Sequence, residues 1–150
     1  METNKNRNVI VVDDDSSIRI VISTALTRAG FNVRSSGTAA GMWRLVETGF
    51  SDVLITDVGL PDGDALDILP KLQKMKPNIK IIVMSARSTL LTAVRAEKKG
   101  AFDYLPKPFD LDQLLNLVTQ TKYNKNNASV ENSLKKTDQV RMNIYESGPI

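Results

Sequence analysis

The sequence predicts an α/β fold in which a doubly wound parallel sheet of five strands carries helices on both faces. Short apolar runs of strand length alternate with segments whose apolar residues recur at helical spacing. The runs are almost wholly apolar, as is typical of parallel strands covered on both sides. Because β-α-β crossovers are right-handed, the helices divide between the two faces. The functional crevice of such a sheet lies beyond the carboxyl ends of its strands.

Each predicted strand is followed by one predicted helix. The strands are expected at residues 9–12, 31–35, 53–56, 79–84 and 101–105. The helices are expected around residues 18–26 and at 39–48, 64–75, 90–99 and 111–121. Gly30, Gly49 and Gly100 stand where three of these helices should end. Either Ser16 or Asp15 can cap the first helix, and capping is the preferred interpretation of Asp15.

Composition bounds the class of protein. The chain has 150 residues, 41% hydrophobic and 25% charged, as expected for one globular domain with a core. It contains neither Cys nor His, which excludes disulfides, thiolate chemistry and the usual general base. No stretch has the length of a membrane span and the N-terminus lacks a signal peptide, so we expect a cytoplasmic protein without membrane contacts.

Charge and polarity divide the chain into three parts. We expect a disordered N-terminus at 1–7, a folded domain at 8–121 and a polar linker or tail at 122–150. The net charge of +3 is shared between residues 1–121, at +1, and the tail, at +2. The domain is therefore nearly neutral, which argues against direct binding of nucleic acid by this segment.

Carboxylates collect at the ends of two predicted strands. Asp13, Asp14 and Asp15 follow the first run, and Asp57 follows the third. If these strands are neighbours, their carboxylates repel one another unless a cation neutralises them. Oxygen ligands suit Mg²⁺, and Lys107 follows the fifth run. The pattern therefore predicts a magnesium site that receives a phosphoryl group.

Four separated motifs resemble the receiver domain of bacterial response regulators, the CheY-like family. They are Val11-Val12-Asp13-Asp14, Asp57 with Pro61 four residues on, Ser85-Ala86 and Lys107-Pro108. The resemblance covers roughly residues 8–121 and implies a flavodoxin-like (βα)5 fold. It also implies that a sensor histidine kinase phosphorylates one aspartate in the presence of Mg²⁺.

The resemblance assigns a role to each matching residue. Asp57 corresponds to the phosphoacceptor, and Lys107 to the lysine that pairs with the acyl phosphate. Asp14, Asp57 and the backbone carbonyl of Gly59 correspond to Mg²⁺ ligands, with Asp13 acting through water. The match also implies a cis bond between Lys107 and Pro108.

Two further residues match the switch of the family. Ser85 corresponds to the hydroxyl that binds the phosphate, and Tyr104 to the aromatic side chain that turns inward. A partly buried strand aromatic is an equal alternative for Tyr104. Adjacent Leu90 and Leu91 cannot easily both face one core. We therefore expect phosphorylation-dependent homodimers through the fourth helix, the fourth-to-fifth-strand region and the fifth helix.

Four short sequence segments resemble the NtrC type of nitrogen regulator, especially its alphaproteobacterial forms. The segments are Val11–Arg19, Met84–Ala86, Leu91–Ala93 and Gly100–Asp110. Such proteins continue into an AAA+ ATPase that acts on sigma-54 polymerase and into a DNA-binding domain. Residues 122–150 are then a linker to those domains or a natural end. The expected output is control of transcription, and a stand-alone receiver acting through protein contacts is the alternative.

Other function classes fit less well. A haloacid-dehalogenase-like phosphatase needs a second aspartate two residues after its nucleophile, and Gly59 occupies that place. A receiver that is never phosphorylated would not need the set of Asp57, Asp14 and Lys107. Glycine-rich phosphate loops are missing, so no nucleotide cofactor is expected. We expect a switch that promotes only its own phosphorylation and dephosphorylation, and not an enzyme acting on other substrates.

Overall fold

A computed structural model describes residues 7–86 and 90–121, with the side chain of Leu90 excluded. Residues 1–6 of the N-terminal segment expected to be disordered (1–7), and the expected linker at 122–150, lie outside the described residues. Contacts divide the chain into units of residues 1–119 and 120–150, and almost all described residues fall in the first. In the described part of the chain, no helix has the length and hydropathy needed to cross a bilayer.

Five parallel strands form the sheet that the sequence predicts. They are β1 (Asn8–Val12), β2 (Asn32–Ser36), β3 (Val53–Asp57), β4 (Lys80–Ser85) and β5 (Asp103–Pro106). Their order across the sheet is β2-β1-β3-β4-β5, with every pairing parallel. The chain therefore reverses direction across the sheet after β2, and β1 and β3 are neighbours at that switch point. The predicted doubly wound fold is confirmed.

Each strand leads into one helix. The helices are α1 (Ser16–Arg28), α2 (Ala39–Glu47), α3 (Ala65–Met75), α4 (Leu90–Lys98) and α5 (Leu111–Gln120). Asp15 caps α1, because its carboxylate accepts the N–H groups of Ser17 and Ile18. The preferred interpretation of Asp15 is thus confirmed.

Strand limits differ from those predicted by one or two residues. Asp57, Ser85 and Pro106 each belong to a strand, because register with a neighbour extends the ladder beyond the apolar run. Ser85 pairs with Pro106, for example, although neither residue is typical of strands. A short antiparallel ladder joins Gly59–Leu60 to Gly63–Asp64 and was not predicted.

The core has two parts, one on each face of the sheet. Side chains of β1, β3 and β4 alternate between the faces, so every residue from Val9 to Val12 is fully buried. One part contains Ile10, Leu54 and Leu66, with residues of α2, α3 and α4. The other contains Val11 and Ile55, with residues of α1 and α5. The two parts hold the strands in place and so fix the positions of the strand ends.

A hydrogen bond from a side chain of α3 reaches the turn at the end of α4. Gly100 follows α4 with φ +99°, a conformation that glycine adopts readily. Gln73 of α3 donates from Nε2 to the Gly100 carbonyl at 2.6 Å. A Cβ at Gly100 would stand 2.6 Å from Gln73 Oε1. Glycine is therefore favoured at position 100 by the backbone conformation and because a Cβ would displace the Gln73 amide from its bond.

Candidate functional site

The carboxyl ends of β1 and β3 bring three carboxylates together. Asp13 and Asp14 follow β1, and Asp57 is the last residue of β3. Each can offer an oxygen within 4.8 Å of the others. Asp13 is buried, Asp57 is partly buried and Asp14 is exposed. The cluster therefore opens to solvent on the side of Asp14.

Asp13 is held at each of its polar atoms. Its N–H donates to the Ser36 carbonyl at 3.2 Å, and its Oδ1 accepts the N–H of Asp15 at 3.0 Å. Its carbonyl accepts Arg19 Nη1 at 2.7 Å, and its Oδ2 accepts Lys107 Nζ at 2.6 Å. These bonds compensate for the burial of a charged carboxylate with 1% exposure. The position and orientation of Asp13 are thus fixed by its neighbours.

Lys107 connects the buried Asp13 with the partly buried Asp57. Its Nζ lies 2.6 Å from Asp13 Oδ2 and 3.3 Å from Asp57 Oδ1. Its main-chain N–H donates to the Ser85 carbonyl at 2.8 Å, which holds the loop after β5 against the end of β4. The bond between Lys107 and Pro108 is cis, as the family resemblance implies. The sequence prediction that Lys107 meets these carboxylates agrees with the geometry.

The electrostatics of the site depend on burial and on this lysine. Burial raises the pKa of Asp57, and the nearby carboxylates of Asp13 and Asp14 raise it further, while Lys107 opposes the shift. Burial disfavours the Lys107 ammonium, but Asp13 and then Asp57 outweigh it, so the pKa of Lys107 is raised. The two carboxylates thus favour the charged form of Lys107, while burial is the main cause that disfavours the charged form of Asp57.

The donor set suits a hard cation. Three carboxylates meet one ammonium, which leaves a net charge of −2 in the cluster. Of the ion pairs between described residues, both that reach this cluster come from Lys107. Carboxylate oxygens at such separations fit Mg²⁺, which takes few protein ligands and retains water. The residues present are therefore compatible with the predicted magnesium ion.

The loop after Asp57 is held by an aspartate that sequence reasoning missed. Asp62 accepts the N–H groups of Ala39 and Ala40, at 2.8 and 3.0 Å, beyond the Thr38 cap of α2. These bonds lower the pKa of Asp62. Gly59 lies in the same loop, exposed and paired with Asp64. The loop that carries the predicted carbonyl ligand is thus attached to the neighbouring helix.

The two predicted switch residues lie on adjacent strands. Ser85 ends β4 and is 3% exposed, while Tyr104 lies in β5 beside Val83 and is partly buried. Tyr104 packs against the core on the side of α2, α3 and α4. Of the two adjacent leucines, Leu91 is 69% exposed, and the side chain of Leu90 lies outside the described residues.

Arg19 and Asp62 were not identified from the sequence. Arg19 stands on α1 six residues after Asp13, and Asp62 stands 23 residues after Ala39. The helical spacing of α1 places Arg19 one turn from Asp15, which was a usable signal. Nothing local indicates that Asp62 reaches α2, because that contact depends on how the loop folds back.

The family model for the response regulator receiver domain matches residues 9–119. This chain belongs to that family. The curated relatives include DNA-binding transcriptional regulator NtrC from Bradyrhizobium sp., which is 51% identical over 74% of this chain and 23% of its own length. NtrC of Rhizobium meliloti is 47% identical over 73% of this chain and 23% of its own length. The receiver is thus homologous to those of NtrC proteins, and the chain spans about a quarter of their length.

Solved structures support the same family. The beryllofluoride-activated NtrC4 receiver domain dimer matches with a TM-score of 0.73 and 30% identity, over 77% of this chain and 95% of that one. The receiver domain of NtrX from Brucella abortus matches with a TM-score of 0.72 and 26% identity, over 76% and 97%. The receiver fold extends across nearly the whole length of these structures, whereas it covers about three quarters of this chain.

Proposed function

We propose that this receiver accepts a phosphoryl group on Asp57 from a sensor histidine kinase. The observation that carries the proposal is the contact of Lys107 with both Asp13 and Asp57 at the switch point of the sheet. This places a nucleophilic carboxylate beside a cation, and the exposed Asp14 can offer an oxygen within 4.8 Å of those of Asp13 and Asp57. A structural aspartate at a strand end would not need these partners.

The chemistry follows from the atoms present. An oxygen of Asp57 attacks the phosphorus of the donor, a P–O bond to Asp57 forms, and the bond to the leaving group breaks. The leaving group takes its proton from solvent. Lys107 favours the charged carboxylate before transfer and stabilises the negative charge on the phosphoryl oxygens during it. The domain acts on itself, so it is a phosphoacceptor switch that promotes only its own phosphorylation and dephosphorylation.

Asp14, Asp57 and the carbonyl of Gly59 would hold Mg²⁺, with Asp13 acting through water. When bound, the ion would neutralise carboxylate charge and charge on the phosphoryl oxygens. Lys107 already occupies Asp13 Oδ2, which is consistent with an indirect role for Asp13. Asp14 is exposed and can reorient toward the ion without breaking a core contact.

Intact mass spectrometry tests the phosphoacceptor assignment. Incubation with acetyl phosphate and Mg²⁺ should add one phosphoryl group to the wild-type chain. Asp57→Asn should add none, and chelation of Mg²⁺ should abolish the reaction of the wild type. Asp112→Asn, which removes an exposed carboxylate from α5, is the matched control and should react normally. Unchanged phosphorylation of Asp57→Asn would refute the assignment.

The signal should pass from Ser85 to α4. A phosphoryl group on Asp57 would attract the Ser85 hydroxyl through a charge-assisted hydrogen bond. Tyr104 then turns inward and α4 shifts on the sheet, as a population change between two packings. Beryllofluoride with Mg²⁺ should therefore shift the amide resonances of Ser85, Tyr104 and α4. Shifts limited to the loops around Asp57 would contradict this mechanism.

The activated form should dimerise through α4, the β4-to-β5 region and α5. Leu91 is exposed on α4, and a receiver dimer is described for the beryllofluoride-activated NtrC4 domain. Sedimentation with beryllofluoride should show a dimer that Leu91→Ser weakens. Ile20→Ser removes a comparably exposed side chain from α1 and is the control. Equal dimerisation of both variants would place the interface elsewhere.

The output proposed is transcriptional control through AAA+ and DNA-binding domains of an NtrC-type protein in nitrogen regulation. It rests on the identity with NtrC receivers, which in those proteins form about a quarter of the chain. A stand-alone receiver that acts by protein contact is the alternative. Sequencing the gene beyond codon 150 separates the two, because only the first requires further domains.

A further inference from the structure

We propose that Arg19 is a positioning residue for the carboxylate cluster, acting through the main chain of Asp13. This inference rests on the proposed magnesium-dependent function and adds a residue to it. Arg19 Nη1 donates to the Asp13 carbonyl at 2.7 Å. A guanidinium bond to a carbonyl is charge-assisted and stronger than a bond between neutral groups. Arg19 itself emerges from α1, whose start is fixed by Asp15.

The contact bears on Asp14 through the planarity of the peptide group. The carbonyl of Asp13 and the N–H of Asp14 belong to one rigid plane. Asp13 is also bonded through its N–H, Oδ1 and Oδ2, so its own position is already secured. Asp14 is exposed and depends on this plane for the direction in which its side chain leaves the backbone. Arg19 therefore sets the starting orientation of the proposed direct ligand.

A second observation concerns Gly37, which lies beside the same Nη1 atom. Gly37, in the turn between β2 and α2, has no side chain where Arg19 lies. A Cβ at that position would stand 2.9 Å from Arg19 Nη1 and 3.8 Å from the Asp13 carbonyl oxygen. An alanine at 37 would thus displace the guanidinium without removing it. The chain offers two independent ways to disturb one contact.

The two possible roles of Arg19, as a nearby positive charge or as a positioning residue, predict opposite changes in Mg²⁺ affinity when it is removed. If Arg19 acted only as a nearby positive charge, it would repel the ion, and removing it would tighten binding. If Arg19 positions Asp14, removing it should weaken binding, as for residues that orient metal ligands elsewhere. The sign of the change in affinity therefore distinguishes the two roles.

The experiment is a Mg²⁺ titration of the full chain, followed by amide NMR. Arg19→Gln should weaken Mg²⁺ binding by about tenfold, at the lower end of the range for residues that orient metal ligands. Arg19→Lys should bind with intermediate affinity, because its ammonium can donate one bond. Arg28→Gln removes a charge from the exposed end of the same helix and should leave affinity nearly unchanged.

Gly37→Ala keeps the positive charge of Arg19, and it allows the inference to be tested even if Arg19→Gln does not fold. It should weaken Mg²⁺ binding in the same direction, and the double variant should bind no more weakly than Arg19→Gln alone. The apo spectrum should show a shifted Asp14 amide in Arg19→Gln and in Gly37→Ala, but not in Arg28→Gln. Unchanged or tighter Mg²⁺ binding in Arg19→Gln, or additive effects in the double variant, would overturn the inference. Failure of the wild type to bind Mg²⁺ would instead refute the proposed function.

Discussion

The interior of the sheet and its carboxyl edge differ sharply, although a single peptide bond separates them at the end of β1. Val12 and Asp13 are both buried, but Val12 packs among apolar side chains whereas Asp13 depends on named polar partners. An apolar side chain in the interior is held by many contacts, each of which contributes little alone. The loss of one partner at the edge leaves a charge uncompensated. The interior therefore supplies stability, and the edge uses part of that stability to hold carboxylates together.

The largest effect expected on stability is in the interior. Leu54→Ala empties a fully buried position of β3 and should lower the free energy of unfolding by about 2–5 kcal/mol. Urea unfolding measures this loss. Ile20→Ala, at an exposed site on α1, should change it by less than about 0.5 kcal/mol. The Mg²⁺ affinity of folded Leu54→Ala should match the wild type, and a change in that affinity would mean that the two regions are not separable.

Removal of the lysine should give the next effect. Lys107→Met leaves the buried carboxylate of Asp13 without its ammonium, at a cost of about 1–3 kcal/mol in unfolding free energy. Saturating Mg²⁺ should reduce this cost, because a cation then compensates the same carboxylates. Lys71→Met on the exposed surface of α3 should cost little and show no such dependence. A loss that is independent of Mg²⁺ would show that packing of the lysine stem dominates.

A smaller effect, of opposite sign, is expected from Asp14. Asp14→Asn should lose most Mg²⁺ affinity yet raise the melting temperature of the apo chain, because it relieves repulsion with Asp13 and Asp57. The gain should be about 1 kcal/mol or less, since Asp14 is exposed and screened by solvent. Calorimetry with and without Mg²⁺ measures both quantities. A lower apo melting temperature would contradict the repulsion argument.

The smallest effect concerns pH and the loop after Asp57. The pKa of Asp62 is lowered by the N–H groups of Ala39 and Ala40, so its stabilising contribution is complete above the unfolded value near 3.8. The contribution is lost as pH falls through the lower folded value. Asp62→Asn retains one acceptor oxygen, so it should be less stable than wild type at neutral pH and converge with it in acid. Parallel stability curves across that window would mean that this cap does not titrate as described.

The grouping of charged side chains at the carboxyl edge could be predicted from the sequence, because the carboxyl ends of parallel strands lie at the same edge of a sheet. That argument placed Asp13, Asp14, Asp57 and Lys107 in one crevice, and the geometry agrees. It could not give the strand limits, since Ser85 and Pro106 are in strands only through pairing with each other. Long-range caps such as Asp62 on α2 also escaped it, because the contact is a property of the folded loop.

The contact between Gln73 and Gly100 has a consequence for how this sequence can vary. Any side chain at position 100 would meet the amide of Gln73 and would also need a left-handed backbone. A side chain there would displace the flexible amide of Gln73 and break its bond to the Gly100 carbonyl, so the reason for glutamine at 73 is lost once position 100 changes. The two positions are therefore expected to vary together among related chains, as a coupled pair rather than as independent sites.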